Sequence, residues 1–206
     1  MKKLIFIISF FLLCQPILYS QNSLSPEEIL NKAISAVSNA KGVEAKFTIY
    51  NSGYSGSGSI KTLGNKFNVI LPDVEVWFNG KDLFTYNKNS GETTIVIPTD
   101  EELLESNPLG YVTSASKKYG VTNSTVKKQG RYVLELLPKD KKNEIKRITL
   151  TLRQSDFMAE KIVVEPKNGT PITAEISSFK IGVSPSTSEF EYPRSKYPEV
   201  EIIDLR

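Results

Sequence analysis

The acidic residues near position 100 are the first candidates for chemistry. Glu101, Glu102 and Glu105 fall within one turn of a predicted helix, and two carboxylates held close together can act as acid and base in hydrolysis. The structural alternative is that Asp100, Glu101 and Glu102 begin a helix and complement the positive end of its dipole. We favour this second interpretation, and we expect the chain to have no catalytic residues.

The composition excludes most other enzyme classes. The 206 residues include no His and a single Cys, Cys14, so Ser-His-Asp catalysis, Cys-His catalysis and His-ligated zinc lack the residues they need. Gly53–Gly58 is rich in glycine but precedes a strand and lacks the Gly-Lys-Ser/Thr ending of phosphate-binding loops, so it predicts a turn with a bulge. The charges around Asp140 lack the spacing of a calcium loop. We therefore expect neither a metal nor a cofactor.

The N-terminal segment predicts export. Residues 1–20 carry two lysines and no acid, followed by the predominantly apolar stretch Leu4–Cys14. This is the pattern of a secretory signal, and it is shorter than the roughly 20 apolar residues that cross a bilayer. Cleavage is expected after Ser20. Cys14 as a lipid-acceptor cysteine is the alternative, which Leu13 disfavours because such signals have a small residue at that position.

The remaining chain, residues 21–206, contains no Cys, so disulfides and thiol catalysis are excluded as well. Removal of two lysines with the signal lowers the formal charge from +3 to +1. A nearly neutral chain without a basic block argues against nucleic acid or an anionic membrane surface as the main partner. The length suits a single domain over residues 21–206.

Capping residues predict a helix near the N-terminus. Ser25, Pro26 and Glu28 form the pattern of a capping box with proline at the first helical position. Apolar residues then recur at helical spacing as far as Ala40, and Gly42 supplies the stop. The sequence therefore predicts an amphipathic helix over Pro26–Ala40.

Beyond this helix, apolar and polar residues alternate with the period of two that indicates β-strands. The predicted strands cover residues 43–50, 57–63, 66–71, 74–78, 82–87 and 92–97, then, after short helices at 98–105 and 109–119, residues 131–137, 144–153, 158–165, 170–181 and 189–192, with a final edge strand at 200–205. We expect a mainly β protein with about 10–11 antiparallel strands in one strongly curved sheet or open β-barrel, covered by the helices. A curved sheet that its helices fill incompletely leaves an apolar ligand cavity.

Aromatic residues flank the Asn79-Gly80 turn, a strong hairpin signal; they are Trp77, Phe78, Phe84 and Tyr86. A two-residue turn places Val76 opposite Leu83. In the same register, Glu75 lies opposite Phe84. Large apolar groups then occur on both faces of the hairpin, as expected where one face packs on the core and the other lines a cavity. The simpler alternative is that each of these aromatic residues belongs to the core.

The order of the motifs resembles that of the periplasmic outer-membrane lipoprotein carrier family (LolA-like). The matching segments are Gly58-Ser59-Ile60-Lys61, Asn65-Lys66-Phe67, Val76-Trp77-Phe78-Asn79-Gly80-Lys81, Phe84-Thr85-Tyr86-Asn87 and Asn107-Pro108. The element order agrees over most of the chain, and the motifs are sharp over residues 56–108. The resemblance implies an open β-barrel with a helical lid that holds lipoprotein acyl chains.

The chain also departs from the family pattern. The resemblance implies an Arg in the strand after the first Gly, important for lid opening and lipid transfer, and the corresponding stretch here is Lys61-Thr62-Leu63-Gly64. Lys61 and Lys66 are the candidates to replace it, although Lys lacks the planar fork of Arg. Asn79 stands where Asp is usual, and Phe84 stands where another aromatic residue, often Trp, occurs.

These observations predict a monomeric periplasmic carrier or chaperone for acyl chains of lipoproteins or another acylated lipid, and the resemblance adds an inner-membrane releasing complex and an outer-membrane acceptor as partners. The alternative is a non-transporting periplasmic or surface protein that uses the fold for protein contacts. The predicted cavity residues are Phe47, Ile49, Val76, Phe78, Phe84, Tyr86, Leu103 and Leu104. Which face of each strand points inward is left open, because a register slip of one residue exchanges the two faces.

Overall fold

The computed structural model describes residues 24–206. The predicted signal segment, its cleavage site after Ser20 and Cys14 lie outside the described residues. Within the described range, no helix has the length and apolar character needed to cross a membrane.

A single twelve-stranded sheet dominates the described chain. Its strands are β1 (Val43–Asn51), β2 (Tyr54–Leu63), β3 (Lys66–Ile70), β4 (Val74–Phe78), β5 (Leu83–Asn87), β6 (Glu92–Val96), β7 (Tyr119–Asn123), β8 (Arg131–Pro138), β9 (Ile145–Arg153), β10 (Ala159–Pro166), β11 (Ile172–Ile181) and β12 (Glu201–Asp204). The spatial order is β12-β6-β5-β4-β3-β2-β1-β11-β10-β9-β8-β7. Every neighbouring pair is antiparallel except β12 with β6. The sheet is curved and unclosed, which confirms the predicted architecture with one or two strands more than expected.

Within residues 24–206, four α-helices accompany the sheet: α1 (Pro26–Ser38), α2 (Asp100–Ser106), α3 (Gly110–Thr113) and α4 (Ala115–Lys118). The predicted capping box starts α1, since the Ser25 side chain accepts from the Glu28 amide at 3.2 Å and the Glu28 carboxylate accepts from the Ser25 amide at 2.8 Å. The apolar stripe of α1 is buried. We call the face of the sheet that packs against these helices the inner face.

Two hydrophobic clusters fill most of the inner face. The first joins α1, α3 and α4 to β7–β11 and contains Ile29, Leu30, Ala33, Val112, Ala115, Tyr119, Leu134, Leu136, Ile148, Leu150, Leu152, Ala159, Ile162, Val164 and Ala174. The second lies on β1–β5 and contains Val43, Ala45, Phe47, Ile60, Phe67, Val69, Val76, Phe78, Leu83 and Leu109. The helices thus cover one face of the sheet, and each half of that face has its own packed core.

The predicted glycine-rich turn is shorter than expected: Ser52 and Gly53 form a turn, and the residues from Tyr54 onwards belong to a strand. β2 begins at Tyr54, three residues before the predicted start, and pairs with β1 from Tyr54 to Thr62. A Cβ added to Gly58 would lie 2.3 Å from the Ile70 carbonyl oxygen. Glycine is therefore needed at this position for the close approach of β3. The glycine content of the segment by itself suggests a longer turn than the structure has.

Two other segments differ from the prediction. Residues 119–123 form the edge strand β7 rather than a helix end and a loop, because pairing with β8 outweighs the weak strand preference of Gly120 and Asn123. The strand predicted at residues 189–192 is wrong, because residues 187–190 form a 3-10 turn and residues 191–192 are not in a strand. The Ser186 side chain caps this turn, and the turn buries Phe190 completely.

The aromatic hairpin has a different register from the one predicted. The loop between β4 and β5 has four residues, Asn79–Asp82, because the Asn79 side-chain oxygen accepts from the amides of Lys81 at 3.0 Å and Asp82 at 2.9 Å. Phe78 therefore pairs with Leu83, and Trp77 pairs with Phe84. The predicted pairs Val76–Leu83 and Glu75–Phe84 are wrong. Apolar side chains do occupy both faces of the hairpin, as predicted.

The C-terminal segment covers the outer face of this hairpin. We call residues 187–206 the strap; it crosses β3–β6 and ends in β12, which pairs with β6. Tyr192 lies 5.5 Å from Trp77 and stacks on Phe84 at 5.7 Å between ring centroids. Tyr197 lies 4.5 Å from Tyr86. The outward aromatic residues are therefore partners of the strap.

Candidate functional site

A cleft of about 610 Å³ opens on the inner face, between the last turn of α1, helices α2–α4 and the paired ends of β2, β3 and β4. Its apolar lining consists of Val37, Ala40, Phe67, Phe78, Leu103, Leu104 and Leu109. Its polar lining consists of Ser38, Thr62, Gly64, Asn65, Lys66, Asp100, Asn107, Gly110, Thr113, Ser114, Lys117 and Lys118. The volume falls within the range of small-molecule sites, roughly 300–1,000 Å³.

Two aromatic side chains form the floor of the cleft. Phe67 on β3 and Phe78 on β4 are directly paired in register, and their ring centroids lie 5.4 Å apart at a tilt of 37°. Both side chains are almost fully buried. Alternation along each strand places them on the inner face, so the floor is a rigid apolar surface.

Helix α2 forms one wall. The Thr99 hydroxyl accepts from the Glu102 amide at 3.2 Å, and the Glu102 carboxylate accepts from the Thr99 amide at 2.7 Å. The hydrogen bond from the Thr99 amide, and a second one that the Thr99 hydroxyl donates to the carboxylate at 3.0 Å, hold the pKa of Glu102 below its ordinary value. The carboxylate therefore caps the helix, as the structural interpretation predicts, and the helix presents Leu103 and Leu104 to the cleft.

Asn107 positions the next wall. Its side-chain oxygen accepts from the amides of Leu109 at 2.9 Å and Gly110 at 3.2 Å, at the start of α3. Pro108 follows Asn107 directly and prevents continuation of α2. The Asn-Pro pair thus turns the chain sharply between two helices, and Leu109 reaches the second hydrophobic cluster.

Lysines dominate the charged groups of the rim. Lys118 lies 3.5 Å from Asp100, measured from Nζ to the carboxylate oxygen. Lys66 and Lys117 also line the cleft, and neither forms a salt bridge within residues 24–206. Lys61, the other candidate for the missing arginine, is on the outer face and pairs with Glu189 in the strap. Of the two candidates, Lys66, at the start of β3, is the one that contributes to the lining of the cleft.

The structure divides the eight predicted cavity residues into three groups. Phe78, Leu103 and Leu104 line the cleft. Phe47, Ile49 and Val76 lie on the same face of the sheet, in or against the second cluster. Phe84 and Tyr86 lie on the opposite face, against the strap.

Several cleft residues are absent from the predicted set. Val37 and Ala40 belong to the apolar stripe of the predicted helix. Phe67 is two residues from Val69 on β3, so the two side chains lie on the same face of the sheet. Those signals mark the residues as inward-facing but do not reveal which elements meet. Lys66, Lys117 and Lys118 carry no sequence signal that distinguishes them from other surface lysines.

The lining of the cleft is suited to binding an amphipathic molecule. An apolar floor with a polar, basic rim accommodates a molecule with a hydrocarbon part and a polar end. Within residues 24–206, no group of three or more acidic side chains is arranged to hold a metal ion.

Comparison with known proteins gives a family and a fold. Residues 18–169 match the model of the family described as outer membrane lipoprotein carrier protein LolA. No curated protein is significantly similar in sequence. Among solved structures, the fold is similar to that of an uncharacterized conserved protein from Thermus thermophilus, with 12% identity, a TM-score of 0.59 and coverage of 86% of this chain and 98% of that one.

Two further solved structures are more distant. A candidate outer membrane lipoprotein-sorting protein domain from Vibrio parahaemolyticus has 13% identity and a TM-score of 0.48, with 81% of this chain and 96% of that chain covered. A LolA superfamily protein from Nitrosomonas europaea has 14% identity and a TM-score of 0.42, with 82% and 99% covered. At such identities, structural similarity concerns the fold alone.

Proposed function

Because the chain belongs to the LolA family of outer membrane lipoprotein carriers, we propose that it is a periplasmic carrier that shields the acyl chains of a lipoprotein or a related lipid. Its working form is the single domain of residues 21–206, a monomer left by removal of the signal. The observation that supports this most is the inner-face cleft, whose floor of Phe67 and Phe78 is apolar. The carrier takes its load from an inner-membrane releasing complex and delivers it to an outer-membrane acceptor.

The energetics of acyl chains explain why a cleft of this kind suits a carrier. Each methylene that leaves water contributes about 0.8 kcal/mol, so lipid chains do not cross an aqueous compartment unaided. Transfer between a bilayer and an apolar cleft exchanges one hydrocarbon environment for another and is nearly neutral. A load can therefore be accepted from one membrane and released to the other.

A lipoprotein with several acyl chains needs more apolar surface than the cleft offers, and two packed clusters fill the rest of the inner face. The residues that make room are those of α2–α4, which are short helices of seven, four and four residues. Leu103 is only half-buried in this cover. Displacement of the cover extends the apolar surface along β2–β4, and its return protects the lining in the unloaded protein.

Lipid capture tests the proposal. Leu103→Asp places a carboxylate on the apolar wall, and we expect at least about a tenfold loss of labelled palmitate binding, since an unpaired charge in an apolar site is unfavourable. The matched control is Leu137→Asp, because Leu137 is 46% exposed and lies outside the cleft. Lipid extraction from the purified protein, followed by mass spectrometry, identifies the natural load.

Two results would count against the carrier. One is unchanged palmitate binding by a correctly folded Leu103→Asp variant. The other is the repeated absence of lipid in mild preparations, together with failure to bind palmitate, which would favour a role of the fold in protein contacts instead.

A further inference from the structure

The charged groups at the rim of the cleft are unequal in sign. Lys66, Lys117 and Lys118 line the cleft together with a single acid, Asp100, which lies beside Lys118. Three lysines against one aspartate leave a local formal charge of +2, although the chain as a whole is close to neutral. The excess of positive charge is therefore a property of this site and not of the protein surface in general.

The lysines reach the cleft from two separate elements. Lys117 and Lys118 occupy the last turn of α4, where positive charges favour the helix dipole. Lys66 begins β3 and has no helix to complement, yet it is half-buried at the same rim. Stabilisation of β3 or of α4 alone does not explain why lysines from both elements line the same cleft.

Neutral hydrogen-bonding groups lie beside the lysines. Thr62 and Asn65 line the same opening and can donate to the oxygen atoms of a bound group, whereas the Ser114 hydroxyl already donates to the Gly110 carbonyl at 2.7 Å. Directly inside the rim begins the apolar surface of Phe67 and Phe78. A molecule that extends from floor to rim therefore meets hydrocarbon at one end and positive charge at the other.

Building on the proposed function, we propose that the cleft selects acyl ligands whose polar end carries a negative charge, a carboxylate or a phosphate. The acyl chain lies on the Phe67–Phe78 floor, and the anion lies at Lys66 and Lys117. An anion at the rim is attracted by the ammonium groups of both lysines, and this attraction is modest because Lys117 is exposed. A neutral lipid with the same acyl chain makes only the apolar contacts with Phe67 and Phe78.

A paired-ligand experiment tests this selection. The purified protein is incubated with phosphatidylcholine vesicles that contain an equimolar pair, either palmitate with palmitamide or dipalmitoyl phosphatidic acid with dipalmitoylglycerol. The protein is then re-isolated, and mass spectrometry gives the ratio of the two lipids bound. We expect enrichment of the anionic member by roughly fivefold at low ionic strength, decreasing as salt is added.

The outcomes separate this inference from the proposed function. Enrichment in the first pair assigns a carboxylate, and enrichment in the second assigns a phosphate; either result supports the inference. Equal uptake of both members in both pairs overturns the selection and leaves the carrier intact. Uptake of no lipid from any vesicle overturns both.

Substitutions connect the selection to the lysines. Lys66→Met with Lys117→Met removes two charges but keeps apolar side chains of similar length, so the enrichment should fall towards one because anionic uptake drops. The matched control is Lys46→Met with Lys146→Met, since both are exposed strand lysines outside the cleft. Enrichment that persists in the cleft variant, or that falls equally in the control, contradicts the assignment.

Discussion

At the scale of single residues, the most constrained charge on the outer face is Glu75. Only 8% of its side chain is exposed, and its carboxylate accepts from the Tyr197 hydroxyl at 3.0 Å and lies 3.2 Å from the Lys88 ammonium. Burial raises the pKa of Glu75, but the hydrogen bonds from Lys88 and Tyr197 and the charge of Lys196 outweigh it, so the pKa is below its ordinary value. Glu75 therefore fastens the strap to the sheet.

This arrangement predicts a dependence of stability on pH. A carboxyl group with a lowered pKa contributes stability that is present above its unfolded-state pKa and is lost as pH falls through its folded-state pKa. We expect Glu75→Gln to lower the free energy of unfolding by about 1–2 kcal/mol near pH 7. The difference from the natural protein should shrink below about pH 4. Urea unfolding at several pH values measures both effects.

Glu199→Gln is the matched control, because Glu199 is an exposed acid of the same strap and forms no salt bridge in the described range. It should change stability little at any pH. A difference between Glu75→Gln and the natural protein that stays constant down to about pH 3 would contradict the assigned role of the Glu75 charge.

At the scale of elements, local signals were sufficient where the determining contacts are local. The capping boxes at Ser25 and Thr99 involve residues three positions apart, so the starts of α1 and α2 are readable from the sequence. The edge strand β7 is not, because it depends on pairing with β8. The hairpin register also escaped prediction, since one side chain, that of Asn79, selects a four-residue loop.

The turn at Asn107 gives the prediction for this scale. Asn107→Ala removes the side-chain acceptor of the Leu109 amide, a loss worth about 1 kcal/mol by analogy with a helix cap, whereas the Gly110 amide keeps the Asn107 carbonyl oxygen as an acceptor at 2.9 Å. We expect amide hydrogen exchange at Leu109 to become roughly fivefold faster and exchange at Gly110 to change less. Exchange in the strands of the sheet should stay unchanged. Hydrogen exchange followed by NMR measures each position.

Ser106→Ala serves as the neighbouring control, since the Ser106 side chain makes no hydrogen bond within the described structure. If Asn107→Ala leaves the exchange of the Leu109 amide as it was, the side chain does not hold this part of the cover. An equal acceleration in Ser106→Ala would show that the effect is not specific to the cap.

At the scale of the whole molecule, the sheet and its helical cover were predictable, but the cleft was not. Strand number, turn spacing and the position of the helices indicate a curved sheet with one covered face. The cleft lies where α2–α4 and the end of α1 leave the inner face incompletely filled, and such a gap depends on side-chain packing across distant elements. Phe84 and Tyr86 illustrate this limit, because only the course of the strap reveals what covers them.

Ligand linkage supplies the prediction at this scale. A ligand that binds only the folded state raises stability by about 2.7 kcal/mol at 100 times its Kd, which for a domain of this size corresponds to about 5–10 °C in Tm. We expect palmitate to produce such a shift, measured by scanning calorimetry. Leu103→Asp should abolish most of it.

The Leu137→Asp control should retain the full shift, because Leu137 lies outside the cleft. An equal shift in all three proteins would place palmitate elsewhere. A protein that binds palmitate without any change in Tm would contradict preferential binding to the folded state.

The sole tryptophan of the sequence, Trp77, lies beneath the strap and on the side of the sheet opposite the cleft. Its intrinsic fluorescence is thus a natural optical probe of strap detachment, with Tyr192 and Tyr197 as immediate neighbours. Cargo that enters the cleft meets Phe67 and Phe78 instead. A fluorescence assay for loading therefore needs a second chromophore, for which Phe67→Trp in a Trp77→Phe background is the natural design.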